Sequence, residues 1–109
     1  MAEVVHLLDG DGRGPLWGTA SEDLNATLLA WPAGEGNPEH VNAERDVLFV
    51  VVDGAGTVEV DGAAFAVAAG DAVLVEKGCA RRVLAGADGI RYLAVHRRRE
   101  GLQVRRAAS

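Results

Sequence analysis

The chain is a succession of short apolar runs cut by glycines, and no stretch keeps a 3.6-residue apolar period long enough for a helix. Residues 24–31 alternate, with Leu24, Ala26, Leu28 and Ala30 on one face and Asn25, Thr27, Leu29 and Trp31 on the other, until Pro32 and Gly34 end the strand. Residues 47–52 are apolar without interruption, which predicts a strand buried on both faces. Residues 57–60 and 63–67 flank Asp61 and Gly62, a pair suited to the positive φ angles of a two-residue hairpin. Gly70 and Asp71 turn the chain into 72–75, Lys77 and Gly78 turn it again, and 80–84 leads through Gly86 and Gly89 into 90–96. Strands so short and so regularly spaced predict an all-β barrel or two-sheet jelly roll.

A chain of 109 residues, 49% of them hydrophobic, has material for one compact domain and no room for a second. Cys79, the single cysteine, has no partner for an internal disulfide, so packing must hold the fold and a reducing compartment suits it. Residues 1–8 lack a basic stretch followed by a long apolar run, and nothing approaches the roughly 20 apolar residues of a membrane helix. The expectation is a cytoplasmic protein with no membrane partner. The net charge of −5 is unevenly spread: Arg97, Arg98, Arg99, Arg105 and Arg106 against Glu100 give residues 97–109 a charge of 5 − 1 = +4, leaving −5 − 4 = −9 on residues 1–96. An acidic body repels nucleic acid, and no aromatic residues interleave with the arginines to stack on bases. No nucleic-acid partner is expected, and the basic 97–109 segment reads as a solvated strand end, tail or self-association contact.

Two glycine-anchored segments carry the remaining information. The first runs from Gly34 through His40, Asn42 and Val47 to Gly54; the second runs from Gly70 through Glu76, Lys77, Gly78 and Arg81 to Ala85. Their spacing resembles the two motifs of the cupin superfamily, a small single-domain barrel of the cupin 2 type. The resemblance implies a double-stranded β-helix, a jelly-roll barrel spanning about 24–96. Further N-terminal strands, at 4–8 and 16–20, would cover the barrel or pair with a second subunit, since the resemblance also implies a homodimer.

In that superfamily the matching positions usually supply three histidines and a glutamate to a metal. Here only His40 is a strong ligand; Asn42 is a weak neutral donor, Val47 is none, and Arg81 is a permanent cation that repels a metal ion. No cofactor is therefore expected at the aligned positions. A divalent transition metal would need a shifted set such as His40, Asp46 and His96, with Glu44 nearby. Strand alternation turns Asp46 away from the side of Val47, so that set requires a bulge or a one-residue slip.

What remains is a donor cluster. His40, Asn42 and Arg81, in a mouth lined by Val47, Phe49 and Trp31, suit a small anionic or carbonyl-containing ligand. Equally open are a rim salt bridge from Arg81 to Glu76, Glu44 or Asp46, an Asn42 that serves only loop backbone, and a structural His40. The function expected is binding of such a ligand without the usual metal. The alternative is an enzyme: a metal-dependent oxygenase or isomerase with shifted ligands, or a metal-free isomerase or cyclase using His40 as acid or base. Cys79, close to Arg81 and Arg82 but without a histidine partner, reads as an incidental thiol. Trp17 reads as packing, and the glycines at 10, 12 and 14 as a flexible connection.

Overall fold

The computed structural model describes residues 2–98. They form seven strands: β1 (Gly14–Ala20), β2 (Leu24–Trp31), β3 (His40–Val41), β4 (Val47–Val60), β5 (Ala63–Ala68), β6 (Ala72–Val75) and β7 (Ala80–Arg97). All pairings are antiparallel. No helix occurs among the described residues, hence none long and apolar enough to cross a membrane.

Two long strands organise everything else. β4 and β7 pair twice, first as Val47↔His96 through Gly54↔Ile90 and again as Gly56↔Ala85 through Val60↔Arg81. An irregularity at Val51/Asp53 lies within the first stretch, and one at Gly54/Gly56 separates the two. On one side of the bend, β1, β2, β7, β4 and β6 lie side by side; on the other, β3, β7, β4 and β5 do. One strand pair thus serves two sheets, and the runs at 47–52 and 57–60 belong to a single strand, as do those at 80–84 and 90–96. Gly54 makes the turn possible. It has φ 74°, and a Cβ there would stand 2.2 Å from the Gly89 carbonyl oxygen. The hairpin expected at Asp61 and Gly62 is present, with φ 49° and 84° and the register Val60↔Ala63.

The two sheets close on a valine-rich core. Val47, Phe49, Val51, Val75, Ile90 and Tyr92 from one meet Val58, Val67, Val83 and Ala85 from the other. Each fully buried aliphatic side chain contributes about 1.5–3 kcal/mol. Phe49 and Tyr92 pack edge to face, with ring centroids 5.6 Å apart at 86°.

Two expectations need correction. Residues 47–52 are not buried on both faces: Val47, Phe49 and Val51 face the core, whereas Leu48 is exposed and Val50 and Val52 are half-buried. An antiparallel sheet needs only one covered face. Residues 4–8 form no strand; the segment is irregular and Val4 is almost fully exposed. It is held instead by Arg91, whose guanidinium donates to the carbonyls of Leu7 at 3.0 Å, Asp9 at 3.0 Å and Gly10 at 2.8 Å. Of the expected 16–20 strand, β1 begins two residues earlier and pairs with β2 as an edge. The run Arg99, Glu100, Arg105 and Arg106 lies outside the described residues.

Candidate functional site

Between the sheets, at the end where β3 crosses β7, opens a cavity of about 490 Å³. His40 and Arg81 face each other across the β3–β7 pair, and both line it. Val47, Phe49, Tyr92, Ala94, Thr27 and Leu29 form much of the rest of its wall. Their placement follows from strand parity: Thr27, Ala94 and Phe49 share one cross-strand row, and Leu29 and Tyr92 belong to the next inward row.

Arg81 is the distinctive group. Only 3% of it is exposed. Nη1 donates to the Cys79 carbonyl at 3.1 Å, and Nε is buried without a hydrogen-bond partner. Among the described residues no carboxylate forms an ion pair with it, so the rim salt bridge to Glu76, Glu44 or Asp46 does not form. Burial pushes the guanidinium pKa down, opposed only by Cys79. Desolvating a charge without a counter-ion costs several kcal/mol unless something compensates it, and here the compensating group is not a described side chain.

The other expected site residues divide. Asn42 borders the cavity, but its Oδ1 accepts from the backbone N–H groups of Glu44 at 2.9 Å and Arg45 at 3.1 Å. It shapes the loop between β3 and β4, as an asparagine at such a turn does. His96 lines the cavity from β7; its Nδ1 lies 2.9 Å from the Arg97 carbonyl, which can only accept, so Nδ1 carries a proton. Trp31 is a correction: it does not line the mouth but stands behind it, donating from Nε1 to the Tyr92 hydroxyl at 3.0 Å and bordering a separate depression beside Ile90. Tyr92 is almost wholly buried, and its phenol pKa is raised by burial, with the Trp31 contact drawing it partly back.

Asp46 turns away from the cavity, as strand alternation predicts. Its Oδ1 accepts from the Lys77 backbone N–H at 2.9 Å, and it does not line the cavity. Val47 faces inward, so its neighbour must face out. The shifted set of His40, Asp46 and His96 is therefore not gathered, and no group of three potential ligands among the described residues could hold a metal. At the aligned positions an exposed imidazole, an amide oxygen already accepting two bonds, an alkyl group and a buried cation do not fit a divalent transition metal.

Among the lining groups that sequence reasoning missed are Arg45, Tyr92 and Asn37. Arg45, 7% exposed, lies two residues before Val47 and shares its inward parity. Tyr92 alternates with Ala94 and His96 in a segment read only as a strand. Asn37 lines the cavity and accepts from the Val83 N–H at 2.9 Å, fastening the loop before β3 to β7. At Cys79 the Asp61 side chain bonded to it, then burial, raise the thiol pKa despite the nearby Arg81, in keeping with an unreactive thiol.

Comparison with known proteins agrees with this architecture. Residues 27–96 match the family model described as Cupin domain. Among solved structures, KdgF from Halomonas sp. is 23% identical, covering 79% of this chain and 80% of that one with a TM-score of 0.71. A cupin protein from Bacteroides fragilis is 19% identical over 85% of this chain and 83% of that one, with a TM-score of 0.72. A protein with a double-stranded β-helix domain from Klebsiella pneumoniae is 13% identical, with 89% and 90% coverage and a TM-score of 0.76. At these identities the likeness shows the fold. No curated relative matches the chain.

Proposed function

The chain belongs to the cupin family, and from that premise we propose that it binds a small anionic or carbonyl-containing ligand in the barrel mouth without the family's usual metal. One observation carries the reading: Arg81 is a buried guanidinium lining the cavity, with no carboxylate counter-ion among the described residues. A ligand oxygen on its free N–H groups supplies the missing compensation, and the low-dielectric wall strengthens that bond. The test is thermal melting of the full chain with acetate, pyruvate or phosphate at matched ionic strength, for the native protein and for Arg81→Met. A ligand that binds the folded state raises Tm. Stabilisation present in the native chain and absent in Arg81→Met is the expected result; equal responses overturn it. Near-stoichiometric zinc, iron, manganese or nickel in protein purified without chelators overturns the metal-free part.

The register His40↔Arg81 favours one further reading, a metal-free isomerase or cyclase in which His40 moves a proton while Arg81 holds developing negative charge. Turnover of oxygenated small molecules that survives His40→Ala unchanged removes it. For assembly we propose a homodimer, supported by the outer-face row Leu74, Leu48 and Val95, in which Leu74 is 62% and Leu48 38% exposed. A monomer by sedimentation, unchanged in Leu48→Lys, contradicts it.

A further inference from the structure

The mouth is two-sided. Arg81 enters from the sheet that holds β3 and β5, whereas Leu29, Phe49, Tyr92 and Ala94 come from the sheet opposite. Arg81 thus faces a wall that is apolar at Leu29, Phe49 and Ala94 and polar at Thr27 and Tyr92, across a cavity that Arg45 also lines. Nη1 of Arg81 is committed to the Cys79 carbonyl and Nε is buried without a partner, which leaves Nη2 as the guanidinium nitrogen open to a ligand. A carboxylate oxygen suits that charged donor.

Resting on the anion-binding reading above, we propose that the ligand is a monocarboxylic acid with an apolar body, an aryl or short alkyl carboxylate, its head on Arg81 and its body against Phe49 and Leu29. Two features select this class. About 490 Å³ is far more than a single inorganic anion fills and lies within the range of organic-ligand pockets. A polyhydroxylated body would turn hydroxyls toward Leu29, Phe49 and Ala94, which offer no donor or acceptor, and would have only Thr27 and Tyr92 on that wall to replace its bonds to water.

The experiment is isothermal titration of the full chain with five probes: benzoate, acetate, benzyl alcohol, gluconate and inorganic phosphate. Benzoate is expected to bind at least about 10-fold tighter than acetate, which lacks the body, and than benzyl alcohol, which lacks the charge. Arg81→Met should abolish benzoate binding. Phe49→Leu should weaken it about 3- to 10-fold, and because Phe49 belongs to the core, Leu29→Asn at a half-buried position gives the same readout with less risk to folding. Tightest binding of phosphate or gluconate, lost in Arg81→Met, overturns the apolar-body class while the anion reading stands. Benzyl alcohol binding as tightly as benzoate, or benzoate indifferent to Arg81→Met, overturns both. Failure of benzoate to bind at millimolar concentration overturns the class proposed here, and the acetate and phosphate titrations then decide the anion reading separately.

Discussion

The strand β7 lines the interior twice, and its two halves do opposite things. Residues 90–96 present Ile90, Tyr92 and Ala94 to the core side, apolar or satisfied groups whose burial stabilises the fold. Residues 81–85 present Val83 and Ala85 in the same way but begin with Arg81, whose burial opposes folding until a partner arrives. The mouth is walled by Arg81 from one half and by Tyr92, Ala94 and His96 from the other, while Val83, Ala85 and Ile90 fill the closed end between them. Stability and binding are divided along β7, and substitutions at the two ends should differ in sign as well as size.

The largest effect is expected where β4 and β7 bend together. Gly54→Ala places a Cβ against the Gly89 carbonyl at a positive φ and should cost about 3 kcal/mol or more, measured as the urea midpoint shift. A cost below about 1 kcal/mol would mean the bend yields, and the two halves of β7 are less rigidly linked than drawn. Next comes Val83→Ala, which leaves a cavity beside Val58 in the closed end and should cost about 2 kcal/mol by the same measurement.

Tyr92→Phe removes the acceptor for Trp31 Nε1 and should cost about 1–1.5 kcal/mol at neutral pH. It also carries a pH signature. Because burial raises the folded phenol's pKa above its unfolded value near 10, the folded state holds the proton longer, and stability falls as pH rises from the unfolded value through the folded one. That alkaline loss should shrink in Tyr92→Phe; an unaltered alkaline limb means another group is responsible.

Arg81→Met should reverse the sign, leaving the ligand-free protein unchanged or stabilised by about 1 kcal/mol. A loss of 2 kcal/mol or more by the same midpoint, on the scale of a broken buried pair, would show that Arg81 is already compensated within the protein, and the contrast between the halves would collapse. Smallest is Asn42→Ala, which frees the N–H groups of Glu44 and Arg45 at a partly solvated turn and should cost under about 1 kcal/mol while loosening the wall of the mouth. Faster amide exchange confined to the segment between β3 and β4 is its expected mark.

Much of the architecture was legible in the chain. The alternation at 24–31 defines β2, the Asp61 and Gly62 pair sets its hairpin, and the spacing of the two glycine-anchored segments marks the family. Illegible was the strand nature of His40 and Val41, since two residues carry no period and their pairing partner is forty positions away. Trp31 was misplaced because it shares the inward parity of Thr27 and Leu29 but stands past them, behind Tyr92. Arg45 was overlooked because arginine is read as exposed by default, and only its parity with Val47 hinted otherwise.

The amino-acid order by itself determined local matters: where strands run, where glycines let them turn, and which ligand positions lack metal donors. Those depend on period, φ preference and side-chain chemistry, all properties of neighbours in the chain. Only the tertiary structure decided that Asp46 accepts from the Lys77 backbone, that Asn42 spends its oxygen on its own loop, and that Arg81 is buried with no carboxylate on it among the described residues. Burial and pairing are properties of what a side chain meets across the sandwich, and that is set when β4 and β7 bend at Gly54 and bring the two sheets face to face.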